Sequence, residues 1–184
     1  KGAFINIFLS IFKIIAGIVG KSSAIVADGI HSLSDLSTDV IVLVFVKISG
    51  KEKDFDHRYG HGKFETFATM LVSFALIAVA IGILWGGIKK IVNAFNGTLI
   101  DKPDIIALYA AIISIISKEI LYRITKKVGE KYNSQSVIAN AWHHRSDAFS
   151  SIGTSIGISG AIFLGDKWRI LDPLAGIIVS FFIL

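Results

Sequence analysis

The chain is a succession of apolar runs divided by short polar breaks, and several runs reach or approach the ~20 residues that cross a ~30 Å hydrocarbon layer. Runs of that length predict an all-α, polytopic membrane protein with its 184 residues in one transmembrane domain. Composition agrees: 53% hydrophobic and 18% charged residues leave too little charge to coat a soluble domain of this size.

Six segments are predicted. The first covers about 3–20 and the second about 24–48, with Ser22 or Ser23 between them able to cap the second. The first lacks an A-x-A-like cleavage site and carries Asn6 and Lys13, so it reads as a retained helix rather than a signal peptide. The third runs 64–95, longer than a span needs, which predicts tilt or projection beyond the bilayer. The fourth is expected over 103–125 with Pro103 at its first helical position, and the fifth over 134–164. Asp172-Pro173 is expected to cap the sixth, which reaches only ~12 residues by Leu184, and a fragment truncated in its sixth helix is the expectation.

Net charge is +5, and in a chain this apolar the distribution of basic residues matters more than the total. With the N-terminus inside, ten Lys and Arg fall in inner regions and six in outer turns, which favours both termini on the cytoplasmic side. Nucleic-acid binding is not implied. No cysteine is present, so disulfides and thiolate metal sites are excluded.

One stretch departs from the apolar background. In Ala27–Val40, Asp28, His31, Asp35 and Asp39 follow one another at steps of three, four and four, which stacks them on one face of the second helix. Ionisable groups inside a membrane helix are costly and mark functional sites. The fifth segment carries a matching pattern: Asn140, His143 and Asp147 repeat the spacing of Asp28, His31 and Asp35, 112 residues on, within [DN]-x-x-H-x-x-S-D. The two segments cross in opposite directions, as in an inverted repeat with its site near the midplane. At 1.5 Å per residue, His31 levels with Asp147 and Asp35 with His143. Two imidazoles and two carboxylates at matched depth suit a divalent first-row cation, zinc best, with Fe²⁺, Mn²⁺ and Co²⁺ open. Asp28, Asp39 and Asn140 are candidates to line a path. A hydrogen-bonded network that only joins helices is the plainer reading.

Other charges are read more simply. Lys13 is expected to snorkel to the interface. Lys118 and Glu119 read as an interfacial pair, and His144 as structural. Arg145 is expected to lie deep, away from the site face.

With HSLSD, the GHGK loop and HHRSD in view, the whole chain resembles the cation diffusion facilitator family of divalent-metal/proton antiporters. The resemblance implies a transport site formed by His31, Asp35, His143 and Asp147 between the second and fifth helices, usually associated with zinc when two His and two Asp are present. It also implies iron, manganese or other divalent (Co²⁺, Cd²⁺) relatives, a homodimer, a cell-membrane location, and a C-terminal cytosolic domain absent from this chain. Asp54, His57 and His61 take the spacing of a loop-borne second metal site found in some members. The partners implied are a divalent metal ion, protons and the lipid bilayer; no organic cofactor is expected. An embedded metalloenzyme is disfavoured, because no H-E-x-x-H pattern occurs. A non-transporting membrane metal sensor or scaffold would keep the same ligands and stays open.

Overall fold

A computed structural model describes residues 2–49 and 62–183, and all that follows concerns these. They form six α-helices: α1 Gly2–Val19, α2 Ser23–Ser49, α3 Gly62–Phe95, α4 Ile105–Lys131, α5 Gln135–Phe163 and α6 Leu171–Ile183. A 3₁₀ turn, Asp166–Ile170, leads into α6. No strand occurs among the described residues. Two stretches are apolar and long enough to span a bilayer by that measure alone, Met70–Phe95 and Ile105–Lys131.

Capping explains where the helices begin. At the α1–α2 turn, Lys21 adopts a left-handed conformation and the Ser22 hydroxyl accepts from the Ile25 amide, so Ser22 is the cap. The fourth helix starts two residues later than Pro103 suggests, because Asp104 accepts from the Ile106 amide and holds the N-cap. Asp172 likewise departs from expectation. Its carboxylate accepts from the amides of Ser23 and Ala24 and from the Ser22 hydroxyl, so it caps α2 rather than its own helix. The start of α6 is thereby fixed to the start of α2.

The helices pack through small residues. The central cluster is built of small residues, Ala16, Ala24, Ala107, Ala110, Ala111 and Ala175, with Ile25 and Ile158. Small residues let helix backbones approach closely where no aqueous driving force pushes them together. Gly29 serves the α1–α2 contact directly, since a Cβ there would lie 2.8 Å from Ile14 Cγ1 and 3.1 Å from Lys13 Cβ. Large apolar side chains instead face outward along α1, α3, α4 and α6, as with Phe8, Phe74, Trp85, Ile116 and Phe181. Few residues of α3 are buried, so this helix is peripheral and packs on α2 and α6 along one side. Closest to the polar residues, α2 packs on α1, α3, α5 and α6, while α5 packs on α4 and α6.

Candidate metal centre

The α2–α5 crossing brings the two polar stripes together. One ligand atom each from His31, Asp35 and Asp147 lies within 4.8 Å of the other two. His143 stands at the edge of this group, its Nε2 4.0 Å from Asp35 Oδ2 and 3.9 Å from Asp147 Oδ1. Ligands held ~2.0–2.1 Å from a tetrahedral ion stand about 3.3 Å apart. The four donors are therefore spread somewhat wider than a coordinated shell and would draw together on a cation.

Two atoms of the group are unsatisfied. His31 Nδ1 and Asp35 Oδ2 are buried without a hydrogen-bond partner. Buried polar atoms normally find partners, and leaving them without one is costly. A cation placed among these groups would relieve that cost, so the donor set fits a divalent metal. Beside it opens a cavity of about 370 Å³ lined by His31, Asp147, Ser150, Thr154 and, on α6, Val179 and Phe182. Its wall thus joins the site to hydroxyls one and two turns farther along α5.

The remaining stripe residues have other surroundings. Asp28 is buried, and its Oδ2 is 2.9 Å from the Lys13 ammonium and accepts a 2.9 Å hydrogen bond from Ser151. That is a position inside the helix packing rather than on an open path. Asn140 is exposed. The side chain of Asp39 and the whole Asp54–His57–His61 loop motif lie outside the described residues. His144 is buried, with its ring 6.3 Å from that of His143. Arg145 donates to the Tyr122 hydroxyl at 3.2 Å and stacks over the rings of Tyr122, Trp142 and Phe149. Its charge is held against aromatic faces of α4 and α5.

Two lysines correct the simpler readings. Lys13 does not snorkel: it is 0% exposed and donates to Asp28 and, at 2.8 Å, to Ser32. Lys118 does not pair with Glu119. Its ammonium is buried 2.7 Å from Asp147 Oδ2, while Glu119 pairs with Arg123. The sequence held a signal for both, because a lysine in the middle of an apolar helix requires an internal partner when it cannot reach an interface. The partner's identity is set by helix rotation, which no local pattern encodes.

The sequence model of the cation efflux transmembrane domain matches residues 2–184. The chain belongs to the cation diffusion facilitator family. Members of this family are membrane-bound transporters rather than enzymes. Among similar proteins, metal tolerance protein C1 of Arabidopsis thaliana is 41% identical over 191 residues, covering 97% of this chain and 40% of the relative. The manganese efflux system protein MneP of Bacillus subtilis is 39% identical over 182 residues, covering 97% and 60% respectively. Mitochondrial metal transporter 1 of Saccharomyces cerevisiae is 33% identical over 198 residues, covering 97% and 38%. The chain thus spans between 38% and 60% of the length of these relatives.

Proposed function

We propose that the protein carries a divalent first-row metal cation across a membrane in exchange for protons, binding it with His31, Asp35, His143 and Asp147. The observation that carries this reading is the convergence of two imidazoles and two carboxylates from α2 and α5, with His31 Nδ1 and Asp35 Oδ2 buried and unpartnered. Neutral imidazoles and ionised carboxylates bind the metal from the cytosolic side, the helices rock to expose the site outward, and protons then compete the metal off. Ligands must lose protons to bind metal, so affinity falls as pH falls through the imidazole range. The 184 residues act as one transmembrane unit, the termini are cytoplasmic, and a homodimer in the cell membrane is the working assembly.

Zinc is the cargo best suited to a two-imidazole, two-carboxylate set. Manganese is the second reading, favoured because MneP and MneS, two relatives from Bacillus subtilis, are described as manganese efflux system proteins. A competition titration across Zn²⁺, Mn²⁺, Fe²⁺ and Cd²⁺ separates them. Transport is tested by metal uptake into proteoliposomes under an imposed pH gradient. Asp35→Ala and Asp147→Ala are expected to abolish uptake, and wild-type flux in both would sink the site assignment. Flux indifferent to the gradient would sink exchange with protons. Binding without any flux would favour the sensor or scaffold.

A further inference from the structure

Asp147 is shared between the proposed cargo site and a cation that belongs to the protein. Its Oδ1 faces His143 Nε2, whereas its Oδ2 is held 2.7 Å from the Lys118 ammonium. The Lys118 side chain is 3% exposed, so its ammonium is enclosed beside the site. The other buried lysine behaves differently. Lys13 pairs with Asp28, whose partners Lys13 and Ser151 close the group off within the packing, and Asp28 does not line the cavity that Asp147 lines.

The shared spacing of the two motifs makes the contrast quantitative. The offset of 112 residues that carries His31 to His143 and Asp35 to Asp147 carries Lys13 to Thr125 and Asp28 to Asn140. Lys118 stands seven residues before Thr125, and Asp147 seven after Asn140. In a hairpin such as α4–α5, joined by the turn at 132–134, those opposite shifts keep lysine and carboxylate level. They also move the pair two turns, or ~10 Å, along the helices. The first hairpin places its ammonium on a carboxylate outside the proposed ligand set. The second places its ammonium on a ligand.

We propose that Lys118 is a resident counter-cation of the transport site, fixing one oxygen of Asp147, leaving the other for the cargo, and holding the affinity low enough for release. The proposal rests on the reading of His31, Asp35, His143 and Asp147 as the cargo site. Binding a metal calls for both carboxylates ionised, and the Lys118 ammonium lies against one of the two. The same positive charge repels an arriving dication. Lys118 is a positioning residue, acting on the metal through Asp147.

The test is metal binding by the purified protein in detergent, read by competition with a fluorescent chelator for Zn²⁺ and Mn²⁺, together with uptake kinetics in proteoliposomes. Lys118→Met is expected to tighten binding by roughly tenfold or more, because a unit charge a few ångströms from a dication is removed. The KM for metal should fall and the maximal rate should fall with it, as release becomes slow. Lys118→Arg, which keeps the charge, should restore wild-type affinity, a rescue that a purely packing role would not predict. Should Lys118→Met not yield folded protein, Lys118→Gln carries the same expectation. Unchanged or weaker binding in a folded neutral variant overturns the proposal. Asp147→Ala in the same assay separates the two levels of the argument. If it abolishes binding while Lys118→Met leaves affinity unchanged, only the counter-cation role fails; if it keeps wild-type affinity, the site itself fails and the role with it.

Discussion

Lys13 and Asp28 form the most enclosed ion pair among the described residues, with side-chain exposures of 0% and 2% and an Nζ–Oδ2 distance of 2.9 Å. Lys13→Met would leave the Asp28 carboxylate buried with the Ser151 hydroxyl as its remaining partner. Removing one member of such a pair costs about 3–5 kcal/mol, because the other charge stays buried and uncompensated. For a chain of this size, 1 kcal/mol moves Tm by about 2–4 °C, so a fall of about 6 °C or more is expected in detergent-solubilised protein followed by circular dichroism. Replacing both, as Lys13→Met with Asp28→Leu, removes the two desolvation costs together and should recover most of the loss. The coupling energy of the double-mutant cycle is then about 2 kcal/mol or more. Because neither residue is among the proposed ligands, the double variant should still bind metal where Asp147→Ala does not. A Lys13→Met loss below about 1 kcal/mol, or a double variant less stable than both single ones, would refute the reasoning.

Two further substitutions test the packing that sets up the site. Gly29→Ala would force a Cβ to 2.8 Å from Ile14 Cγ1 and 3.0 Å from the Ile14 amide nitrogen, and overpacking of this kind costs about 1–3 kcal/mol. Gly82, where a Cβ would meet nothing within 4 Å, is the control: Gly82→Ala should be neutral or slightly stabilising, and equal losses at both positions would remove close approach as the explanation. Asp172→Ala strips the acceptor from the Ser23 and Ala24 amides and from Ser22, at a cost of about 1–3 kcal/mol. A thermal midpoint within 1 °C of wild type would show that the α6-to-α2 cap contributes nothing.

The sequence revealed the helices and the imidazole and carboxylate groups that α2 and α5 bring together, because both are written in local spacing. Apolar runs located the six helices, and steps of three and four put His31 with Asp35 and His143 with Asp147 on single faces. Depth alone was enough to bring those faces level. The misreadings concern residues whose partners come from another helix. Asp172 reads as a cap because Asp before Pro at a helix start usually is one; it caps α2, since α6 begins where the α2 amides are free. Lys13 reads as interfacial because lysine usually snorkels, and Lys118 because Glu119 stands next to it in the sequence. Both turn inward to carboxylates that lie 15 and 29 residues away, on neighbouring helices whose rotation fixes which group each meets.

Those cross-helix bonds also bear on how the site can open. Ser151 lies one turn beyond Asp147 on α5, and Asp28 one turn before His31 on α2; the 2.9 Å bond between them ties the two helices at one end of the site. At the other end Asp35 and His143 approach only to 4.0 Å, beyond hydrogen-bond reach. The crossing is therefore fastened on the His31 and Asp147 side and loose on the Asp35 and His143 side. A rotation of α2 against α5 about the fastened end changes a separation in proportion to its distance from the pivot. It moves Asp35 from His143 more than it moves His31 from Asp147. On the proposed reading of these four residues as ligands, opening toward the α2 C-terminal end separates Asp35 from His143 first.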